Sequence, residues 1–115
     1  KYPQKTILIS GTNGKTSTAN LIYQSFEKAG YKTISNSRGD NIINGIASLL
    51  IKNSSLDFTV NADVLVLEVD ELTLAKNLSH IHASDIVITN FFRDQLDRVG
   101  EMETIILKIQ NALLD

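Results

Sequence analysis

The chain has 115 residues, 43% of them apolar, which is enough to bury one core and too few for two. Lysine and arginine number 11 against 13 acidic residues, so the formal net charge of -2 lacks the basic excess of nucleic-acid and anionic-membrane binders. Cysteine is absent, which excludes disulfides and thiolate chemistry and points to the cytoplasm, and no run approaches the ~20 apolar residues that cross a bilayer.

In chain order, residues 6–10 (TILIS) predict a short strand, and residues 15–29 predict a helix that stops at Gly30. The helix carries Leu21, Ile22, Ser25, Phe26 and Ala29 at helical spacing. Between strand and helix stands GTNGKTS, the residues Gly11, Thr12, Asn13, Gly14, Lys15, Thr16 and Ser17. A chain that wraps a phosphate needs glycines where backbone N–H groups converge, and a helix starting immediately afterwards with its amides and dipole facing the anion. Lys15 then supplies a point charge for the outer phosphates, and the Thr16 hydroxyl can join the shell of a magnesium ion. The match to G-x-x-x-x-G-K-[ST] is partial, because Ile9 holds the place of its first glycine. The competing reading is a glycine turn capped by Thr12 or Asn13 with Lys15 merely solvated, but a cation at a helix N-terminus opposes the dipole.

Residues 31–35 (YKTIS) predict a second strand, followed by the polar NSRGDN and a helix over 44–52 with Ile46, Leu49 and Leu50 inward. NSSLDFTVNA has no assignable pattern. Residues 63–69 (DVLVLEV) form a nearly continuous apolar run, as a strand covered on both faces does. Glu68 interrupts it near the end and is the first candidate for a magnesium ligand, while Asp70 and Glu71 equally fit a helix N-terminus without metal. A helix over 72–78, a strand over 85–89 and a helix over 102–114 with Ile105, Ile106, Ile109 and Leu113 on one face complete the pattern. His80 and His82 precede the last strand, away from its carboxyl end.

Strands alternating with helices predict an α/β fold: a three-layer, P-loop-type, mostly parallel sheet with helices on both faces. Ligands of such sheets bind beyond the carboxyl ends of the strands, where GTNGKTS, EVDE and TNFFRDQLDR would meet.

Assembled in that order, the three segments resemble the central ATPase domain of the Mur ligase family, to which folylpolyglutamate synthase is also similar. GTNGKTS is similar to the family's phosphate loop, LEVDE to the strand end with its magnesium-binding glutamate, and TNFFRDQLDRVGEME to its asparagine, aspartate, histidine loop. Within the family, EVDE combined with FRDQLDR is most similar to the ligase-like subunit of the lipid II isoglutaminyl synthases. The resemblance implies an ATP-dependent carbon–nitrogen ligase that phosphorylates the D-glutamate carboxylate of a lipid-linked peptidoglycan precursor and amidates it with ammonia from a glutamine amidotransferase subunit. It implies nucleotide binding by Gly11 through Ser17 with Asn90, catalytic roles for Lys15 and Glu68, and a metal held by Thr16 and Glu68. Gln95 stands where family members have a second, histidine ligand, and Ile109 falls where many have a carbamylated lysine, with Lys108 one position short. A neutral amide is a poorer ligand than imidazole. The resemblance further implies that residues 1–115 are the N-terminal portion of a longer ATP-binding central domain, without full ligase turnover on their own. A nucleotide-dependent switch, another amino-acid ligase of the family and a vestigial phosphate loop are the alternatives.

Overall fold

Four apolar runs pair into one parallel sheet in the computed structural model, which describes residues 3–37, 43–57, 59–91 and 99–114. The strands β1 (Lys5–Ser10), β2 (Thr33–Ser35), β3 (Val64–Glu68) and β4 (Asp85–Ile88) lie in the order β2-β3-β1-β4. Every pairing is parallel, with Ile9 beside Glu68 and Ser10 beside Ile88, so the strand ends carrying the polar segments share one edge.

Helices α1 (Lys15–Lys28), α2 (Ile43–Lys52), α3 (Glu71–Asn77) and α4 (Val99–Leu114) cover the sheet, with a 3-10 turn at Leu78–His80. Side chains alternate across a strand. Ile7, Ile9, Val64 and Val66 therefore meet Ala19, Ile22 and Phe26 of α1 on one face. Leu8, Leu65, Leu67 and Val69 meet Ile46, Leu74, Leu78, Ile81, Ile105 and Ile109 on the other. The three-layer α/β arrangement expected from the sequence is the one observed. All five residues of β3 are buried, the condition that lets a strand be apolar on both faces.

Local differences have identifiable causes. The inward stripe of α1 is Ala19, Ile22 and Phe26, whereas Leu21 is 67% exposed and Ser25 and Ala29 lie outside the core. Leu21 sits about 200° around the helix from Ala19, so its apolarity does not aim it at the sheet. β2 starts two residues later than expected because Tyr31 still belongs to the end of α1, its N–H returning to Phe26 O and its ring edge-on to Phe26. Gly30, at φ 90°, makes that closure. Helix α4 begins at Val99 rather than at residue 102 and takes Gly100 into its first turn. The unassigned segment after α2 folds back through an antiparallel bridge, Ser54 to Val60, with Asp57 accepting from Thr59 N–H. Among the described residues no helix is long and apolar enough to cross a membrane.

Candidate functional site

The loop between β1 and α1 is built on two glycines with positive φ, Gly11 at 131° and Gly14 at 82°. A Cβ on Gly11 would overlap Thr89 Oγ1 and lie 2.8 and 2.9 Å from the backbone O and N of Asn90. The residue is thus glycine because the two residues that follow β4 press against it. Gly14 is the N-cap of α1 in the left-handed conformation, and no side chain caps the helix. The capped turn offered by Thr12 or Asn13 does not form, which leaves the first-turn amides directed at the loop's opening.

Two residues beyond β4 brace the loop from outside. Thr89 Oγ1 donates to Asn13 O at 2.7 Å, and the Asn90 side chain brackets the same peptide: Nδ2 donates to Asn13 O (3.1 Å) and Oδ1 accepts from Asn13 N–H (3.0 Å). Asn90 O also accepts from Thr12 N–H at 2.9 Å. Asn90, expected to bind nucleotide, therefore uses its side chain to hold the loop in shape. Lys15, first residue of α1, folds its ammonium over the loop, donating to Gly11 O and reaching Thr12 O at 3.5 Å. The charge that opposes the helix dipole is thus parked on carbonyls within reach of the opening.

Alternation along β3 decides where Glu68 points. Val64 and Val66 face α1, so Glu68 does as well, and the first turn of α1 stands over it. The Thr16 hydroxyl donates to the carboxylate, 2.9 Å from Oε1 and 3.0 Å from Oε2. Glu68 is 2% exposed, and its main chain is gripped by the Asn36 amide at 2.7 and 2.9 Å. A hydroxyl and a carboxylate brought together beside open helix amides form a hard-oxygen donor pair suited to magnesium next to a phosphate.

The other candidates separate. Ser17 is exposed in the first turn of α1. Asp70 caps α3, accepting from Thr73 N–H at 2.8 Å and Thr73 Oγ1 at 2.6 Å, and Glu71 lies in its first turn, as the metal-free reading of that pair anticipates. Ile109 is buried in the larger core and Lys108 is exposed. Phe91 packs partly buried against the same core. His80 and His82 are exposed, and among the described residues no cluster of three or more histidine or acidic side chains could hold a metal. Gln95, with Phe92, Asp97, Arg98 and the Arg38 to Asp40 segment, lies outside the described residues. Sequence patterns missed Asn36 and Thr89, since a side chain bonded to a distant main chain leaves no periodic trace; Thr89 had only its place beside Asn90 at a strand end as a signal.

Comparison with known proteins matches residues 9–113 to the Mur ligase middle domain. The chain is 38% identical over 107 residues to the lipid II isoglutaminyl synthase (glutamine-hydrolyzing) subunit MurT of Staphylococcus aureus, covering 93% of this chain and 24% of that protein. Identity to the MurT subunit of Streptococcus pneumoniae is 37%, with the same coverage of each chain. The UDP-N-acetylmuramoylalanine–D-glutamate ligase of Natranaerobius thermophilus is 30% identical over 106 residues, covering 92% of this chain and 21% of that ligase. The chain therefore spans about a quarter of the length of the curated relatives it matches.

Proposed function

Because the chain belongs to the Mur ligase family, matching its middle domain over residues 9–113, we propose that it forms the ATP-binding part of a ligase acting on a peptidoglycan precursor. The observation that carries this reading is the braced glycine loop whose helix opens at Lys15 and Thr16, with the Thr16 hydroxyl on the buried Glu68 carboxylate. The similarity to MurT subunits favours amidation of the D-glutamate carboxylate of lipid II, with ammonia released by a glutaminase subunit. The carboxylate oxygen attacks the γ-phosphorus and the bond to ADP breaks. Ammonia then adds to the acyl phosphate, and inorganic phosphate leaves as the amide forms.

Magnesium would be held by Thr16 Oγ1 and Glu68, and it supplies charge neutralisation for the phosphate oxygens. The residues of this chain provide the remainder. The amides at the start of α1 receive phosphate oxygens, and Lys15 swings from Gly11 O to the transferring group, where its charge counts most as negative charge spreads in the transition state. Thr89 and Asn90 brace the loop backbone, so only the Lys15 side chain has to move when nucleotide arrives.

The test is nucleotide binding by the intact protein with and without magnesium. Lys15→Ala is expected to weaken ATP binding about 10- to 150-fold, as loss of a charged hydrogen bond worth roughly 1.5–3 kcal/mol requires. Unchanged affinity in a folded Lys15→Ala protein would overturn the reading. The 30% identity to a D-glutamate ligase supports a second reading, an amino acid as the nucleophile in place of ammonia. Turnover of the intact protein with ammonia against D-glutamate separates the two.

A further inference from the structure

We propose that Asn36 is a positioning residue for the metal-facing carboxylate: its side-chain amide replaces the missing next peptide of β2 and pins the backbone of Glu68. This rests on the reading of Glu68 as a magnesium ligand. The β2 main chain accompanies β3 only from Thr33 to Ser35, opposite Val64 to Val66. Beyond that it turns, with Ser37 N–H donating to Ser35 Oγ at 3.2 Å. The next backbone groups of β3 on that side are those of Glu68, because Val69 N–H turns the other way to Ile9 O at 2.9 Å. They would face a strand that has already departed.

Asn36 fills the step. Its Oδ1 accepts from Glu68 N–H at 2.7 Å, and its Nδ2 donates to Glu68 O at 2.9 Å. A carboxamide offers one acceptor and a donor in one plane, as a peptide group does. Aspartate lacks the donor, glutamine is one methylene too long, and serine is too short to reach both groups. With Asn36 4% and Glu68 2% exposed, water has little access to substitute for the clamp. Glu68 is thereby fixed from both sides, by β1 through its register with Ile9 and by Asn36, while its carboxylate meets Thr16. A ligand held in this way needs no ordering when the ion binds.

The experiment uses the intact protein and three readouts: magnesium half-saturation of ATP-analogue binding, affinity without magnesium, and hydrogen exchange of the Glu68 amide in the metal-free protein. Asn36→Asp and Asn36→Ser are expected to raise the magnesium half-saturation about 10- to 100-fold and speed Glu68 exchange, with metal-free affinity changed less than about twofold. Ile34→Val, on the same strand, is expected to lower thermal stability without moving the magnesium requirement. A folded Asn36 variant with wild-type magnesium half-saturation would overturn the inference. So would a wild-type Glu68 amide that exchanges as fast as those of open loops, a measurement that needs no variant. A wild-type protein whose nucleotide binding ignores magnesium would instead remove the metal reading itself, and that result appears before any substitution is made.

Discussion

Gly11→Ala is the sharpest probe of the braced loop. Its Cβ would overlap Thr89 Oγ1 and crowd the Asn90 backbone at 2.8 and 2.9 Å, at a residue whose φ is 131°. Positive φ costs a non-glycine residue about 1–2 kcal/mol, and forced overpacking adds about 1–3 kcal/mol. Turning Thr89 aside to relieve the overlap would also break its bonds to Asn13 O (2.7 Å) and Ser10 O (3.3 Å). We expect a loss of roughly 3–5 kcal/mol, a large share of the roughly 5–15 kcal/mol that holds a domain folded. Gly14→Ala shares only the positive φ, with nothing within 4 Å of its Cβ, and should cost about 1–2 kcal/mol. Equilibrium urea unfolding measures both, with the slope checked for constancy. In a Thr89→Ala background the overlap with Oγ1 is gone, so Gly11→Ala should cost about 1–2 kcal/mol less there than in the wild type. A Gly11→Ala penalty below about 1 kcal/mol, or one identical in the two backgrounds, would refute the reasoning.

Ser10 Oγ is fully buried and finds no hydrogen-bond partner among the described residues. Ser10→Ala should therefore leave stability unchanged or raise it by up to about 1 kcal/mol, and a loss larger than that in the same unfolding assay would show the hydroxyl to be satisfied. The Ser84 hydroxyl, and then Lys5 at 3.1 Å, hold the Asp85 carboxyl below its ordinary value. A carboxyl depressed on folding adds stability above its unfolded pKa of about 3.9 and loses it as pH falls through the folded value. Asp85→Asn should accordingly flatten the fall of stability below about pH 4, and an unaltered acid limb by circular dichroism would count against the pairing.

The sheet and its chemistry were legible to different depths. Glycines followed by Lys15 and Thr16 between a β-branched run and a helix define the loop by chain geometry alone. Glu68, a single acid within an apolar run, is also conspicuous, because a strand buried on both faces has no other place for a charge. The inward face of α1 was harder to read: Ala19 is a weak hydrophobic signal and Leu21 a strong one, yet the helix turns Leu21 outward. Gly100 suggests a break but is tolerated in the first turn of α4. Asn36, Thr89 and the bracing use of Asn90 are settled by bonds to main chain 32 to 79 positions away, contacts that no local pattern encodes.

A strand greasy on both sides is a poor clock. Val64, Val66, Leu65 and Leu67 are all buried, so sliding β3 by a single residue would exchange aliphatic side chains for one another at modest expense to packing. The same slip would carry the acid of Glu68 to the reverse of the sheet, away from Thr16. Phase in this strand is therefore tolerated by oil and enforced by polarity: a one-residue insertion between Val64 and Leu67 would set the Glu68 carboxylate against the larger apolar core without Thr16, at a cost of about 3–5 kcal/mol.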